Sequence, residues 1–519
     1  MSVILKDLND YIAPSQACIK PVEVNKTATD NNNVIKIDDS GGYYEVSQDG
    51  SETKLQTASI TLDDCLACSG CITSAESVLI TMQTHEELYN VLKSNQQAIQ
   101  EGKPEKLKTV VVSIAPQSRA SIAATYNLTP LQVAKRLTYF FKLLGVDYVF
   151  DTSFSRDFSL LESAQEFVER YLEHQRNQNS SPLLVNNENN ESKKISRIKH
   201  GEKNGEYQPK SNDSNDSHLP MLASSCPGWV CYAEKTHGFI LPYISKTKSP
   251  QQIMGLIVKD YFAKKLGVAP NNIYHVGVMM CYDKKLEASR PDFFNEDYQT
   301  RDVDCVITTG ELNKMFQEQN YDIKVSPESF LDSFTKTTHD GQLLGSAGSA
   351  SGGNLEFILE YSARELFGIT GVDVDKEKGV IIKIGRNKDF KEFTLEVDKK
   401  PVLKFASAYG FRNIQNLVRK IKSGNSPYHY VEVMACPSGC INGGGQLKPS
   451  ENIPIKNWIA EVNNIYKSVD SQSPEQNEVV LNLYNEWLEG QDSSKCKEIL
   501  RTQYHAVKTT LVNPLIVNW

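Results

Sequence analysis

The run "KTVVVSIAP", ending at Pro116, is apolar and β-branched at most positions, and predicts a short buried strand. Next, "TPLQVAKRLTYFFKLLGVDYVFDTSF" places apolar residues at helical spacing until Gly145. It predicts an amphipathic helix stopped there and followed by the strand "VDYVFD". "HVGVMMCYDK", "DVDCVITTGEL" and "YHYVEVMACP" repeat a strand-then-turn pattern, and "GGNLEFILEYSARELFG" predicts a helix. Apolar strands alternating with helical stretches indicate α/β architecture with mostly parallel, buried sheets. Cys281 and Cys436 then fall where strands end, which is where open α/β folds place their sites.

Two stretches break the pattern. Residues 176–217 are rich in Asn, Ser, Lys and Glu, with scarcely an apolar residue after Val185; such a segment cannot offset its ordering entropy and predicts a disordered surface insertion. Residues 339–353, "HDGQLLGSAGSASGG", read as a flexible loop. No internal repeat is visible.

Composition narrows the function classes. At 519 residues the chain is long enough for two or three domains. Its net charge of -8 offers no electrostatic reason for nucleic acid or an anionic membrane as main partner. Neither a signal-peptide pattern nor a run of about 18 apolar residues is found, so no membrane insertion is expected. The cytoplasm, and the nucleus with it, is the expected location. Thiols stay reduced there, and eleven cysteines read as metal ligands plus core residues rather than as a disulfide framework.

The first cysteine group, in the loop-like "ITLDDCLACSGCITS", is Cys65, Cys68 and Cys71. This spacing lets three thiolates converge on one iron–sulfur cube. In bacterial-type ferredoxins a fourth Cys lies four residues on, but here that position is Ala75. Cys18, the other cysteine of the N-terminal segment, precedes Pro21 as a remote fourth ligand could. A structural zinc site or unrelated thiols are the alternatives, although zinc favours two separated C-x2-C pairs.

The second constellation joins "ASSCPGWVCYAEKTHG", "VMMCYDKKLEASRPDF", "DVDCVITTGEL" and "VMACPSGCINGGGQ". These stretches resemble the active-site signatures of iron-only ([FeFe]) hydrogenases. They resemble more closely the eukaryotic non-hydrogenase relatives, the Nar-type cytosolic iron–sulfur protein assembly factors. "VSIAPQSRA", "FDTSFSRDFSLLESAQEF", "KSPQQIMG", "TTGEL" and "GGNLEF" match in order, and "LNLYNEWLEG" to "LRTQYH" resembles the small-subunit helical segment that closes the domain. The likeness covers about residues 108–506, excluding the polar insertion, and the N-terminal motif matches the Nar branch too.

The resemblance implies a two-lobed, iron-only-hydrogenase-like α/β domain at 106–506, a small N-terminal iron–sulfur domain at 1–105, and a docking tail at 507–519. It implies two [4Fe–4S] clusters: one on Cys18, Cys65, Cys68 and Cys71, the other on Cys226, Cys281, Cys436 and Cys440. Gly443, Gly444 and Gly445 would let backbone approach the second cluster, and the helix after Pro227 would aim N–H groups at it. The implied role is to link the scaffold NTPase complex that builds clusters to a late targeting complex with a WD40 propeller protein and its associated subunits. In such factors a C-terminal tryptophan, here Trp519 after Asn518, is implicated in docking.

The chain departs from hydrogenases where it matters for their chemistry. Ser225 stands where they carry a proton-shuttling cysteine, and a hydroxyl is far too weak an acid for that relay. Met280 replaces a proline, and Gly310 an arginine. Lys284 matches a lysine that holds a di-iron ligand, and without that unit pairs with acidic neighbours or cluster sulfides. An assembly factor without classical enzyme activity is therefore the expected function; an iron-only hydrogenase or an electron-transfer protein is the alternative. Cys231, Cys305 and Cys496 read as small buried residues, and His237 and His275 have no metal-binding spacing.

Overall fold

The computed structural model describes residues 34–37, 43–46, 52–54, 79–179, 218–223, 225–385, 387–450 and 452–507. Cys18, Cys65, Cys68, Cys71, Trp519 and the polar insertion beyond residue 179 lie outside them. The chain divides into two compact units, Met1–Met82 and Gln83–Trp519. In the first, Val34–Ile37, Tyr43–Val46 and Glu52–Lys54 pair antiparallel. The second begins ahead of the expected boundary at residue 106, because Leu88 and Leu92 of the His85–Gln100 helix pack into the main core.

The larger unit has two lobes. In the first, four strands lie in the order Cys305–Thr308, Ile273–Met279, Thr109–Ile114, Tyr148–Asp151, all parallel. Their apolar runs are buried on both faces. Val110, Val112 and Ile114 pack against the Pro130–Leu144 and Thr309–Glu318 helices, while Val111 and Phe150 face the Glu478–Leu488 and Ser494–Leu500 side. The Pro130–Leu144 helix starts with a reciprocal Thr129–Gln132 cap and stops at Gly145, whose φ of 99° suits a residue without Cβ. The chain leaves the central Thr109–Ile114 strand first toward Tyr148–Asp151 and later returns on its other side. That reversal opens a crevice beyond the ends of Thr109–Ile114 and Ile273–Met279.

The second lobe carries five strands in the order Val380–Ile384, Phe390–Val397, Lys400–Tyr409, Tyr430–Met434, Met221–Leu222. The last three pair parallel, as expected for the sheets at large, but the first three form an antiparallel meander. One helix, Thr152–Asn179, belongs to both lobes: Phe154 and Phe158 pack in the first, Phe167 and Tyr171 against Phe405 and Tyr430 in the second. It continues through Asn179, past the residue 176 start of the expected insertion. No described helix is long and apolar enough to cross a membrane.

Candidate metal centre at the lobe junction

Four of the expected cysteine ligands come from loops at strand and helix ends where the lobes meet. Cys281 follows the Ile273–Met279 strand by two residues, and Cys436 follows Tyr430–Met434 by two. Cys226 is the N-cap of the Pro227–Thr236 helix, with Pro227 at the first helical position. Cys440 opens a short 3-10 turn.

The four thiols lie within one another's electrostatic field. Burial, then Asp283, Cys436 and Cys440, pushes the Cys281 thiol well up. Burial and then Cys226 and Cys440 raise Cys436, and burial followed by Cys226 pushes Cys440 up to about 12, against the pull of Lys284. Cys226 is raised mainly by burial, while N–H groups of Ala435 and Trp229 favour its thiolate; the Ala435 contact is 3.3 Å. Gly444 offers Cys436 a backbone N–H in the same way. Four thiols, Cys226 buried and the other three half-buried, that repel one another as thiolates need added positive charge, which iron supplies. Backbone donors to the sulfurs are the usual means of tuning such a group, and the donor set fits an iron–sulfur cluster. Among the described residues no three His, Cys, Asp or Glu side chains converge tightly enough for a single ion. Thiolates that each take a different iron of a cube need not meet at one point.

The glycine run does more than expose backbone. A Cβ at Gly443 would sit 2.4 Å from the Met280 carbonyl oxygen, and one at Gly445 would sit 2.8 Å from Thr308 side-chain atoms. The gap is bridged by hydrogen bonds: Gly445 N–H donates to Met280 O at 3.0 Å, and Gly310 N–H to Gly445 O at 2.9 Å. The loop holding Cys440 is thereby fastened to the strand end holding Cys281. Met280, in place of a proline, is 6 % exposed and fixed by this bond. "TTGEL" contributes too: Thr308 and Glu311 cap each other, Lys285 pairs with Glu311 at 2.7 Å, and Thr309 donates to Gln446 at 2.7 Å.

The stretch 339–353 is no free loop. Ala350 O accepts from Gln117, the Ser351 hydroxyl accepts from Cys440 N–H at 3.2 Å, and Gly353 is packed so closely that a Cβ would lie 2.0 Å from Ala347 O. Its glycines serve close packing rather than freedom. Beside Cys440 lies a cavity of about 40 Å³, lined by Ser225, Gln117, Arg156, Gln251 and Lys284 among others. That is room for roughly two waters. The Ser225 hydroxyl is buried without a hydrogen-bond partner among the described residues.

Comparison with known proteins decides the family. The model of the iron-only hydrogenase large subunit, C-terminal domain, matches residues 108–186 and 189–444, and that of the iron hydrogenase small subunit matches 452–507. The cytosolic Fe-S cluster assembly factor narfl of Xenopus tropicalis is 50% identical over 516 residues, covering 99% of this chain and 98% of its own. The cytosolic iron-sulfur assembly component 3 of Mus musculus is 49% identical over 505 residues, covering 97% of this chain and 96% of its own. The chain belongs to this hydrogenase-like family of assembly factors. Among solved structures, an [FeFe]-hydrogenase studied for oxygen inactivation matches with TM-score 0.64 and 26% identity, over 82% of this chain and 99% of that one. The apo [FeFe]-hydrogenase HydA1 of Chlamydomonas reinhardtii gives 0.63 and 25% over the same shares.

Within this assembly-factor family, Lys284 has the acidic partner expected of it: its ammonium meets Glu287 at 2.7 Å, both side chains buried. Cys305 and Cys496 are buried, as expected; Cys231 is half-buried and lines a small cleft with Arg290 and Tyr504. His275 sits between Ser113 Oγ and Asp302 O, and burial pushes it down to about 4. Sequence reasoning missed Glu432, Tyr409 and Ser351 behind the Cys440 loop. A charged residue inside the fully buried "YVEVM" strand was the available signal.

Proposed function

We propose that the chain acts in cytosolic iron–sulfur protein assembly, carrying a [4Fe–4S] cluster on Cys226, Cys281, Cys436 and Cys440 and a second on Cys18, Cys65, Cys68 and Cys71. The single observation that carries this reading is the meeting of four thiols from both lobes, Cys226 buried and Cys281, Cys436 and Cys440 half-buried, with backbone N–H groups directed at the Cys226 and Cys436 sulfurs. Such a group, when bound, supplies iron for thiolate ligation and one-electron redox capacity. The cysteines of this chain bind it, and the Ala435, Trp229 and Gly444 amides stabilise the negative charge they carry.

The names of the relatives support a role in cytosolic iron–sulfur assembly; the finer reading, a link between a cluster-building scaffold NTPase and a WD40-containing targeting complex for cytosolic and nuclear proteins, with Trp519 as a docking element, rests on the sequence resemblance alone. The likeness to [FeFe]-hydrogenases favours one alternative, hydrogen turnover. Against it stand Ser225 and the small cavity beside it. Anaerobic iron and acid-labile sulfide analysis with EPR, on wild type, Cys68→Ala and Cys436→Ala, tests the main reading. About eight irons per chain, with each variant losing roughly half, is expected; zinc in place of iron and sulfide would refute it. A hydrogen-evolution assay with a strong reductant should give no gas.

A further inference from the structure

A cavity of about 280 Å³, open to solvent and with no cysteine in its lining, is lined by Arg119, Ser346, Gly348, Asp375, Tyr466 and Lys467 among others. Gly348 closes it toward the protein interior. A Cβ there would stand 2.9 Å from Glu356 Oε2, so this bare stretch of backbone covers the Glu356 carboxyl. That oxygen is buried and has no hydrogen-bond partner among the described residues. Behind it lies Glu432, 1 % exposed, which accepts from the Tyr409 hydroxyl and, at 3.2 Å, from Leu355 N–H. The Tyr409 ring in turn lies against Gly439, where a Cβ would come within 3.1 Å of it, and Cys440 lies in the field of Glu432.

We propose that Glu356 and Glu432 share one proton, taken up from the cavity beside Gly348, and that this pair links the charge of the cysteine site to the proton activity of the solvent. The link to the cysteines rests on the cluster reading above; the shared proton does not. The buried, unpartnered Glu356 Oε2 beside a second carboxylate disfavours ionisation of both groups, against the pull of the Glu356 and Ser349 backbone N–H groups. Burial and then Glu432 push Glu356 up to about 8, and Asp375 adds to the same direction. Burial raises Glu432, against the Tyr409 hydroxyl, Leu355 N–H and the Arg156 guanidinium. Tyr409 and Tyr430, facing the pair, are held protonated by burial first and then by Glu432. Lys467 is engaged with Asp375 at 3.0 Å on the cavity side. When dithionite adds one electron to the site above about pH 8, one proton passes from a water molecule to a carboxylate oxygen: an O–H bond of that water breaks, its hydroxide passes to the solvent, and one O–H bond forms on the carboxyl.

Infrared titration of the full-length protein tests the proton, and EPR-monitored redox titration with dithionite at several pH values tests the link. In wild type a protonated-carboxyl band should persist through neutral pH and disappear near pH 8, and Glu356→Gln should remove it. The midpoint potential should stay flat below about pH 8 and then fall, by up to ~59 mV for each tenfold drop in proton activity; in Glu356→Gln it should stay flat throughout. Tyr409→Phe, which keeps both carboxyls, should shift the band and guards against a misfolded Gln variant. Absence of the band at pH 7 would overturn the shared proton. A band with a wild-type potential independent of pH up to 10, or the same slope in Glu356→Gln, would overturn the link. A protein without iron would refute the cluster reading while the band still decides the pair.

Discussion

Two glutamate sites, Glu166 on the long Thr152–Asn179 helix and Glu356 on the Asn354–Phe367 helix beside Glu432 of the Tyr430–Met434 strand, are pushed in opposite directions by their surroundings. Glu166 is buried with Arg170 at 2.6 Å, the Ser245 hydroxyl at 2.6 Å, and N–H groups of Lys246 and Thr247. Burial alone would raise it, but Arg170, Arg501 and these donors hold it below the usual carboxylate range. Glu356 is half-buried, but its Oε2 is buried without a partner among the described residues and near a second glutamate, and burial of the carboxyl followed by Glu432 raises it to about 8. Burial is common to both, so the number and sign of partners decide which carboxyl keeps its proton.

The largest effect expected from breaking this contrast is at Arg170. Arg170→Met strands the Glu166 charge and should cost about 3–5 kcal/mol of stability at pH 7 by denaturant titration. The loss should shrink in acid, because the contribution of a depressed carboxyl is itself lost as pH falls through its folded value. On the other side, Gly348→Ala forces a side chain onto φ 91° and against Glu356, and should lower stability by roughly 1–3 kcal/mol. Glu356→Gln sharpens the comparison by sign. A raised carboxyl favours the fold at low pH and loses that advantage as pH rises from the ordinary carboxylate range to about 8. Wild-type stability should therefore fall by about 1–2 kcal/mol between pH 6 and 8, somewhat under the limit of ~1.4 kcal/mol per unit, and the Gln variant should lack the decline. Tyr409→Phe, removing one donor to Glu432, should cost about 1 kcal/mol.

Much of the architecture is legible before any coordinates. The buried strands announce themselves by unbroken β-branched runs, the Pro130–Leu144 helix by its cap and Gly145, and the two strand-end cysteines by what precedes them. The antiparallel meander of residues 380–409 escaped notice because its strands, half-exposed at one edge, mix Lys and Glu with apolar residues. The 339–353 stretch misled for a different reason: Gly and Ser dominate both mobile loops and backbone packed too tightly for side chains. The Glu356–Glu432 pair joins residues 76 positions apart in sequence, on a helix and a strand. Proximity of that kind has no local signature.

The hydrogen bonds from Gly445 to Met280 and from Gly310 to Gly445 carry a consequence in time. The four sulfurs of the junction are spread from Cys226 to Cys440 along the nascent chain. At a synthesis rate of roughly 5–20 residues per second, on the order of 10–40 s separates the emergence of the first from that of the last. Through that interval Cys226 and Cys281 exist without the loop that completes their surroundings. On the proposed cluster reading, iron delivered early would meet half a cradle, and loading of this centre would follow translation, when the last fold has closed.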